Sequence, residues 1–157
     1  MTLATVKGFD RASFRDYHPA GSLGQQLLQC VGEVMLTGER LPWVNRDASL
    51  ATVLEEMTAK RLGLTLVGTS PAVAGLITDG DLRRALLKHG QAISTVQAAE
   101  IMTVKPAIIS SSLQAFEALE LMESRQITAL LVGDDHDHLE GVVHLHDLLG
   151  RGRLGFK

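Results

Sequence analysis

Two short stretches hold most of the chemistry that this sequence can offer. Thr78-Asp79-Gly80-Asp81 closes one apolar run, and His144-Leu145-His146-Asp147 closes another 66 residues later. A Thr followed three residues on by an Asp is the pattern of a capping box: side chain and backbone satisfy each other at a helix start, and the carboxylate favours the positive helix end. The same junction also presents free backbone amides, a hydroxyl and a carboxylate together. Amides at a helix start suit a phosphate, and a carboxylate there can accept both hydroxyls of a ribose. On spacing alone capping is the simpler account, and ligand binding stays open beside it. The second copy keeps the carboxylate, Asp147, and replaces Thr78 by His144. Arg83 and Arg84 follow Asp81, where they either meet an anionic ligand or form a solvated face.

Other reactive side chains are less promising. His136 and His138 lie in Gly133-Asp134-Asp135-His136-Asp137-His138. Clustered His and Asp can bind a divalent metal, but the stretch reads as a hairpin loop and has no counterpart in the first copy, so no metal is expected. Cys30 is expected on an apolar helix and reads as core rather than nucleophile.

The elements that must position these residues occur twice. Val34-Met35, Met57, Leu66-Val67-Gly68, Gly75 and Asp81-Leu82 recur as Ile101-Met102, Met122, Leu131-Val132-Gly133, Gly141 and Asp147-Leu148, a shift of 65 to 67 residues. A drift that small indicates one structural unit used twice. Leu50, Val53, Leu54 and Met57 fall at i, i+3, i+4 and i+7, one face of a helix; Ala115, Ala118, Leu119 and Met122 repeat it. Trp43-Val44, 64–67 and 73–77 are expected strands, with a turn at Thr69-Ser70-Pro71 and a helix over 79–88. The later copy predicts strands at 108–109, 129–132 and 139–143, and helices over 113–124 and from about 145. Each unit is therefore β-α-β-β-α. The expected fold is α/β (α+β), two repeats packed as a pseudo-twofold pair. Residues 31–90 and 91–152 form the repeats, and 153–157 a tail. Residues 1–30 stand outside the repeat; Ser22 and Gln25 read as a capping box there.

Composition narrows the class. Hydrophobic residues are 45% of 157 and aromatics only 4%, so the interior must be aliphatic. A net charge of −3 leaves no broad basic surface, which argues against nucleic acid as a partner. One cysteine excludes an internal disulfide and fits a reducing compartment. No apolar run reaches the length of a membrane span and no signal-peptide core opens the sequence, so no membrane partner and a cytoplasmic location are expected. Leu82, Leu86, Leu87, Leu148 and Leu149 offer more apolar surface than one pair of repeats can hide, which predicts at least a homo-dimer.

With these residues in view, the two halves resemble a tandem of cystathionine-β-synthase-type (CBS) domains. The likeness rests on the openings Val34-Met35 and Ile101-Met102 and the endings Gly75-Leu-Ile-Thr78-Asp-Gly-Asp81-Leu and Gly141-Val-Val-His144-Leu-His-Asp147-Leu. Upstream, Gly8-Phe9-Asp10 and His18-Pro19-Ala20-Gly21-Ser22-Leu23-Gly24 are similar to the sugar-isomerase junction of bacterial arabinose-5-phosphate isomerases, although members of that family often have Gly where this chain has Ala20. The resemblance implies the C-terminal part of an aldose-ketose isomerase that interconverts D-ribulose 5-phosphate and D-arabinose 5-phosphate. Its product feeds 3-deoxy-D-manno-octulosonate (Kdo), a component of lipopolysaccharide or capsule. The resemblance makes His18 a catalytic proton-transfer residue of the parent enzyme and residues 1–30 a remnant of its isomerase domain. Most of that domain's machinery is absent, so this chain alone is expected to be inactive. The resemblance also implies a regulatory CBS pair with no required cofactor. Its expected ligand is an adenine or cytosine nucleotide, or CMP-Kdo, in a cleft between the repeats that would use Thr78, Asp81, Arg83, Arg84, His144 and Asp147. The alternative is a purely structural oligomerisation module that binds nothing. Asp81 and Asp147 favour the first reading, because Asn or Ser would cap equally well; His144 keeps the second alive.

Overall fold

Alternation of apolar and small residues over 64–78 produces a hairpin whose strands, β2 (Leu64–Thr69) and β3 (Ala72–Thr78), pair antiparallel across a Ser70-Pro71 turn with a cis peptide. This computed structural model describes Gly24 and residues 27–149. The described elements before the hairpin are a short helix α1 (Val31–Val34), a 3-10 turn Gly38–Arg40, strand β1 (Trp43–Val44) and helix α2 (Leu50–Lys60). After it come α3 (Asp79–His89), a 3-10 segment Gly90–Thr95, α4 (Ala98–Ile101), β4 (Thr103–Val104), β5 (Ile108–Ile109), α5 (Ala115–Arg125), β6 (Ala129–Gly133), β7 (Leu139–His144) and α6 (Leu145–Leu148). The β-α-β-β-α order holds in both repeats.

The chain separates into two compact units that interleave along the sequence. One comprises Thr37–Ile108 with Gly133–Glu140; the other comprises the described residues up to Leu36 with Ile109–Val132 and residues from Gly141 onward. The first unit holds a four-stranded sheet, β1-β2-β3-β4, with β1 parallel to β2 and the rest antiparallel. A register shift at Val67/Gly68 bulges β2, and Gly68 takes φ 138 there, where an added Cβ would lie 2.5 Å from the Ala72 carbonyl oxygen. Val44, Val53, Met57, Val67, Ile77 and Ala98 form the core beneath this sheet, with Leu82, Ile101 and Met102 packed on its margin. Ser49 caps α2 by accepting the Thr52 amide, as its side-chain oxygen suits. Leu54 is the exception to the expected face. It is 44% exposed, because it sits about 100° round the helix from Val53 and the buried stripe of α2 is narrower than the spacing suggests.

In the other unit the equivalent face of α5 is fully used: Ala115, Ala118, Leu119 and Met122 are all buried. Leu130, Leu131, Val142, Val143 and Leu148 of the same unit are buried as well.

Each unit borrows the opening of the other repeat. Met102 and the backbone of Thr103, from the start of the second repeat, lie against Gly75 of β3. Met35 and the Leu36 carbonyl, from the start of the first, lie against Gly141 of β7. β4 pairs with β3 through Gly75↔Val104 and Leu76↔Thr103, while Leu36 and Val142 exchange backbone hydrogen bonds of 2.8 and 3.0 Å. This explains both the recurring Met and the recurring Gly. A methionine side chain fills the space that a Cβ at Gly75 or Gly141 would need. Repeat and compact unit are thus different sets of residues.

Candidate functional site

The last strand of each repeat runs without a loop into a helix, so the residue that ends the strand must also cap the helix. In the first unit Thr78 does this. Its Oγ1 accepts the Asp81 amide (3.2 Å), and Asp81 Oδ2 accepts the Thr78 amide (2.9 Å), closing the capping box. The Thr78 hydroxyl also donates to Oδ2 (3.1 Å). The other carboxylate oxygen, Oδ1, accepts Arg84 Nη2 at 2.7 Å and the Thr103 hydroxyl at 2.9 Å. A carboxylate offers about four lone-pair positions, and these four donors meet that number. Asp81 is 7% exposed, whereas Arg84 is 71% exposed at its side chain. Arg83 is exposed.

The second unit carries the same junction with different chemistry. Asp147 Oδ2 accepts the His144 amide (2.9 Å), and His144 Nδ1 accepts the His146 amide (3.2 Å). The two imidazoles lie 4.7 Å apart, tilted by 33°. His144 is half-buried and replaces a small hydroxyl by a ring.

The six residues read from the sequence therefore gather at two helix starts: Thr78 and Arg84 each bonded to Asp81 at the first, with Arg83 beside them, and His144 with Asp147 at the second. Spacing gave no sign of Thr103. It lies 22 residues from Asp81 and arrives only because β4 joins the edge of the first sheet. The one signal that could have found it is its place directly after Ile101-Met102, the second of the recurring openings. His18 and the Ser22–Gln25 cap fall outside the described residues.

Hollows elsewhere in the first unit lie at the far end of its sheet. One of about 580 Å³ is lined by Asn45, Arg46, Asp47, Gly68, Thr69 and Asp137, among others, and one of about 440 Å³ by Trp43, Ser49 and Thr52. The register Leu64↔Thr78 against Thr69↔Ala72 puts them a strand's length from Asp81. They are open depressions, and the converging polar groups are at the helix start. The 134–138 loop is held by backbone: the Val73 amide donates to the His136 carbonyl (2.7 Å) and the Leu139 amide to the Pro71 carbonyl (2.9 Å). His136 Nε2 meets the Pro106 carbonyl at 2.7 Å, and His138 Nδ1 meets Asp135 Oδ1 at 2.8 Å. That hydrogen bond, with the carboxylates nearby, raises the His138 pKa above its ordinary value, and it holds Asp135 below the usual carboxylate range. Among the described residues no group of three or more His, Cys, Asp or Glu could hold a metal ion, and no helix is long and apolar enough to cross a membrane.

The profile of the CBS domain family matches residues 31–88 and 98–153. Across 97% of its length the chain is 43% identical to an arabinose 5-phosphate isomerase, KdsD, of Yersinia pestis, and it spans 46% of that relative. Among solved structures, CBSX2 in complex with AMP superposes with a TM-score of 0.66 at 22% identity, covering 80% of this chain and 96% of that one. The CBS domain of a bacterial CNNM/CorC family Mg2+ transporter, in complex with ATP, superposes with a TM-score of 0.67 at 18% identity, covering 87% and 95%. These two likenesses show the fold alone. With two matching stretches that make up most of its length, the chain belongs to the CBS domain family.

Proposed function

We propose that this chain is the regulatory CBS pair of an arabinose 5-phosphate isomerase and that it senses a nucleotide or nucleotide-sugar. The observation that carries the reading is the 43% identity over 97% of the chain to about half the length of such an isomerase. The remaining half of that relative then holds the machinery that interconverts D-ribulose 5-phosphate and D-arabinose 5-phosphate in the cytoplasm, for Kdo and the lipopolysaccharide or capsule built from it. That reaction moves a proton between adjacent carbons and needs positioned acid and base groups. His18 belongs to that machinery in the longer protein and does nothing on this chain alone, because a lone imidazole without binding and positioning contributes little.

Support for sensing comes from the repeated junctions. Asp81 supplies a carboxylate for ribose hydroxyls, α3 supplies amides for a phosphate, and Arg83 is exposed beside them. AMP and ATP are the ligands of the two structural neighbours, which makes adenine nucleotides the first to try. CMP and CMP-Kdo test the pathway's own nucleotides. His144 narrows the second junction, so the first dominates. A thermal-shift panel of AMP, ATP, CMP and CMP-Kdo tests the reading: a rise in melting temperature with one of them supports it, and no response to any at millimolar concentration overturns it.

One observation favours a second reading, a structural module that binds nothing and joins copies of the chain. Every acceptor position of Asp81 is engaged within the protein. Leu86 and Leu87, on α3, are 52% and 88% exposed, and Leu149 is 40% exposed, while Leu148 is fully buried. An exposed leucine pair of this kind suits contact with a second copy under either reading.

A further inference from the structure

Resting on the nucleotide reading above, we propose that Asp81 is a latch: without ligand its Oδ1 holds Arg84 and Thr103, and a vicinal diol that takes Oδ1 releases the β4 edge strand. The cap itself needs only Oδ2 and Thr78, which already satisfy the amides of Thr78 and Asp81. Oδ1 is therefore surplus to capping, and both of its donors come from groups that can leave. Arg84 is largely exposed, so water replaces its partner at little cost. Thr103 belongs to a two-residue strand whose ladder to β3 is only Gly75↔Val104 and Leu76↔Thr103. Both residues of that strand are exposed. With so short a ladder, the Thr103–Asp81 hydrogen bond is a side-chain tie that adds to the packing of Met102 on Gly75 in fixing β4. The second repeat cannot reproduce this pair of donors from the same positions. The equivalents of Thr103 and Arg84 are Leu36 and Gly150, and neither side chain can donate a hydrogen bond. The pairing of a strand hydroxyl and a helix guanidinium on one carboxylate is thus specific to the first junction. β4 opens the second repeat, so its release is a change that segments beyond the site can read.

The test combines calorimetry with hydrogen exchange, using AMP as the probe. In the wild-type chain AMP speeds exchange in residues 75–76 and 103–104. Thr103→Val shows that faster exchange without AMP and binds AMP more tightly. Thr103 is exposed, so water replaces much of the lost hydrogen bond, and a gain of roughly threefold to tenfold is expected. Thr103→Ser, which keeps the hydroxyl, behaves as wild type. If AMP binds and Asp81→Ala abolishes binding, but exchange at β4 slows or stays unchanged, the latch is wrong while the sensing reading stands. Weaker binding by Thr103→Val also overturns it, because Thr103 is then a ligand contact. No AMP binding to any of the proteins defeats the AMP-driven release, and the sensing reading then turns on ATP, CMP and CMP-Kdo. Unchanged exchange in unliganded Thr103→Val defeats the latch without reference to any ligand.

Discussion

Gly75→Ala separates packing from propensity by the sign of its effect. Where a new methyl meets open space at an allowed φ, Gly→Ala stabilises by about 0.4 to 1 kcal/mol through the unfolded chain. At Gly75 the added Cβ collides with Met102 Sδ and lies 2.7 Å from its Cγ and 2.9 Å from the Thr103 carbonyl oxygen. The methionine end can swing aside, but the Thr103 carbonyl is backbone of the paired strand and must shift with it. Overpacking of this kind costs about 1 to 3 kcal/mol; set against the entropy gain that leaves about 0 to 2.6 kcal/mol, and the backbone contact puts Gly75 in the middle of that range, at about 1 to 2 kcal/mol. For a chain of this size that is a fall in Tm of roughly 2 to 8 °C. Urea unfolding of Gly75→Ala, Met102→Ala and the double variant makes the measurement. The double variant should be more stable than the sum of the single losses, because truncating Met102 removes the Sδ and Cγ collision; part of the loss should remain, because the carbonyl contact does not change. Gly141→Ala should lose at least as much, with the Leu36 carbonyl oxygen 2.5 Å and Met35 Sδ 2.7 Å from the added atom. A Gly75→Ala protein as stable as wild type, or more so, would refute the account of the recurring Gly and Met.

Three further outcomes are expected. Met122→Ala, at a fully buried position of α5, should destabilise by about 2 to 5 kcal/mol in urea unfolding. His138 should titrate by NMR above its ordinary 6.5, and Asp135→Asn should lower it toward that value. The sign follows from linkage: the His138 contribution to stability is complete below 6.5 and fades as pH rises through its folded value, while that of Asp135 is complete above its ordinary 3.8 and fades as pH falls. The contribution of this exposed pair is thus complete between 3.8 and 6.5 and fades on either side. Light scattering at micromolar concentration should give at least a dimer, and Leu87→Glu should shift it toward monomer.

Much of this fold could be read locally. Helix starts, the α5 face and both hairpins depend on contacts within a few residues, which spacing reports directly. The capping boxes at Thr78–Asp81 and His144–Asp147 were legible for the same reason, and the Arg84–Asp81 pair, at i and i+3, lay within the same kind of pattern. What could not be read was the exchange of openings. Nothing local to Thr103-Val104 marks a strand; it becomes one because Gly75 leaves room for Met102 to bring it alongside β3. Leu54 shows the converse limit, since periodicity identifies an apolar face but not how much of it a particular sheet can cover.

The most direct measurement is isothermal calorimetry of AMP, ATP, CMP and CMP-Kdo on the wild-type chain and on Asp81→Ala. The account predicts binding of at least one by the wild type. Loss of a charged acceptor for ribose is worth about 1.5 to 3 kcal/mol, so Asp81→Ala should bind roughly tenfold to a hundredfold more weakly. Equal affinity in the variant would move the site away from Asp81, and no heat with any of the four at millimolar concentration would contradict nucleotide sensing by this CBS pair.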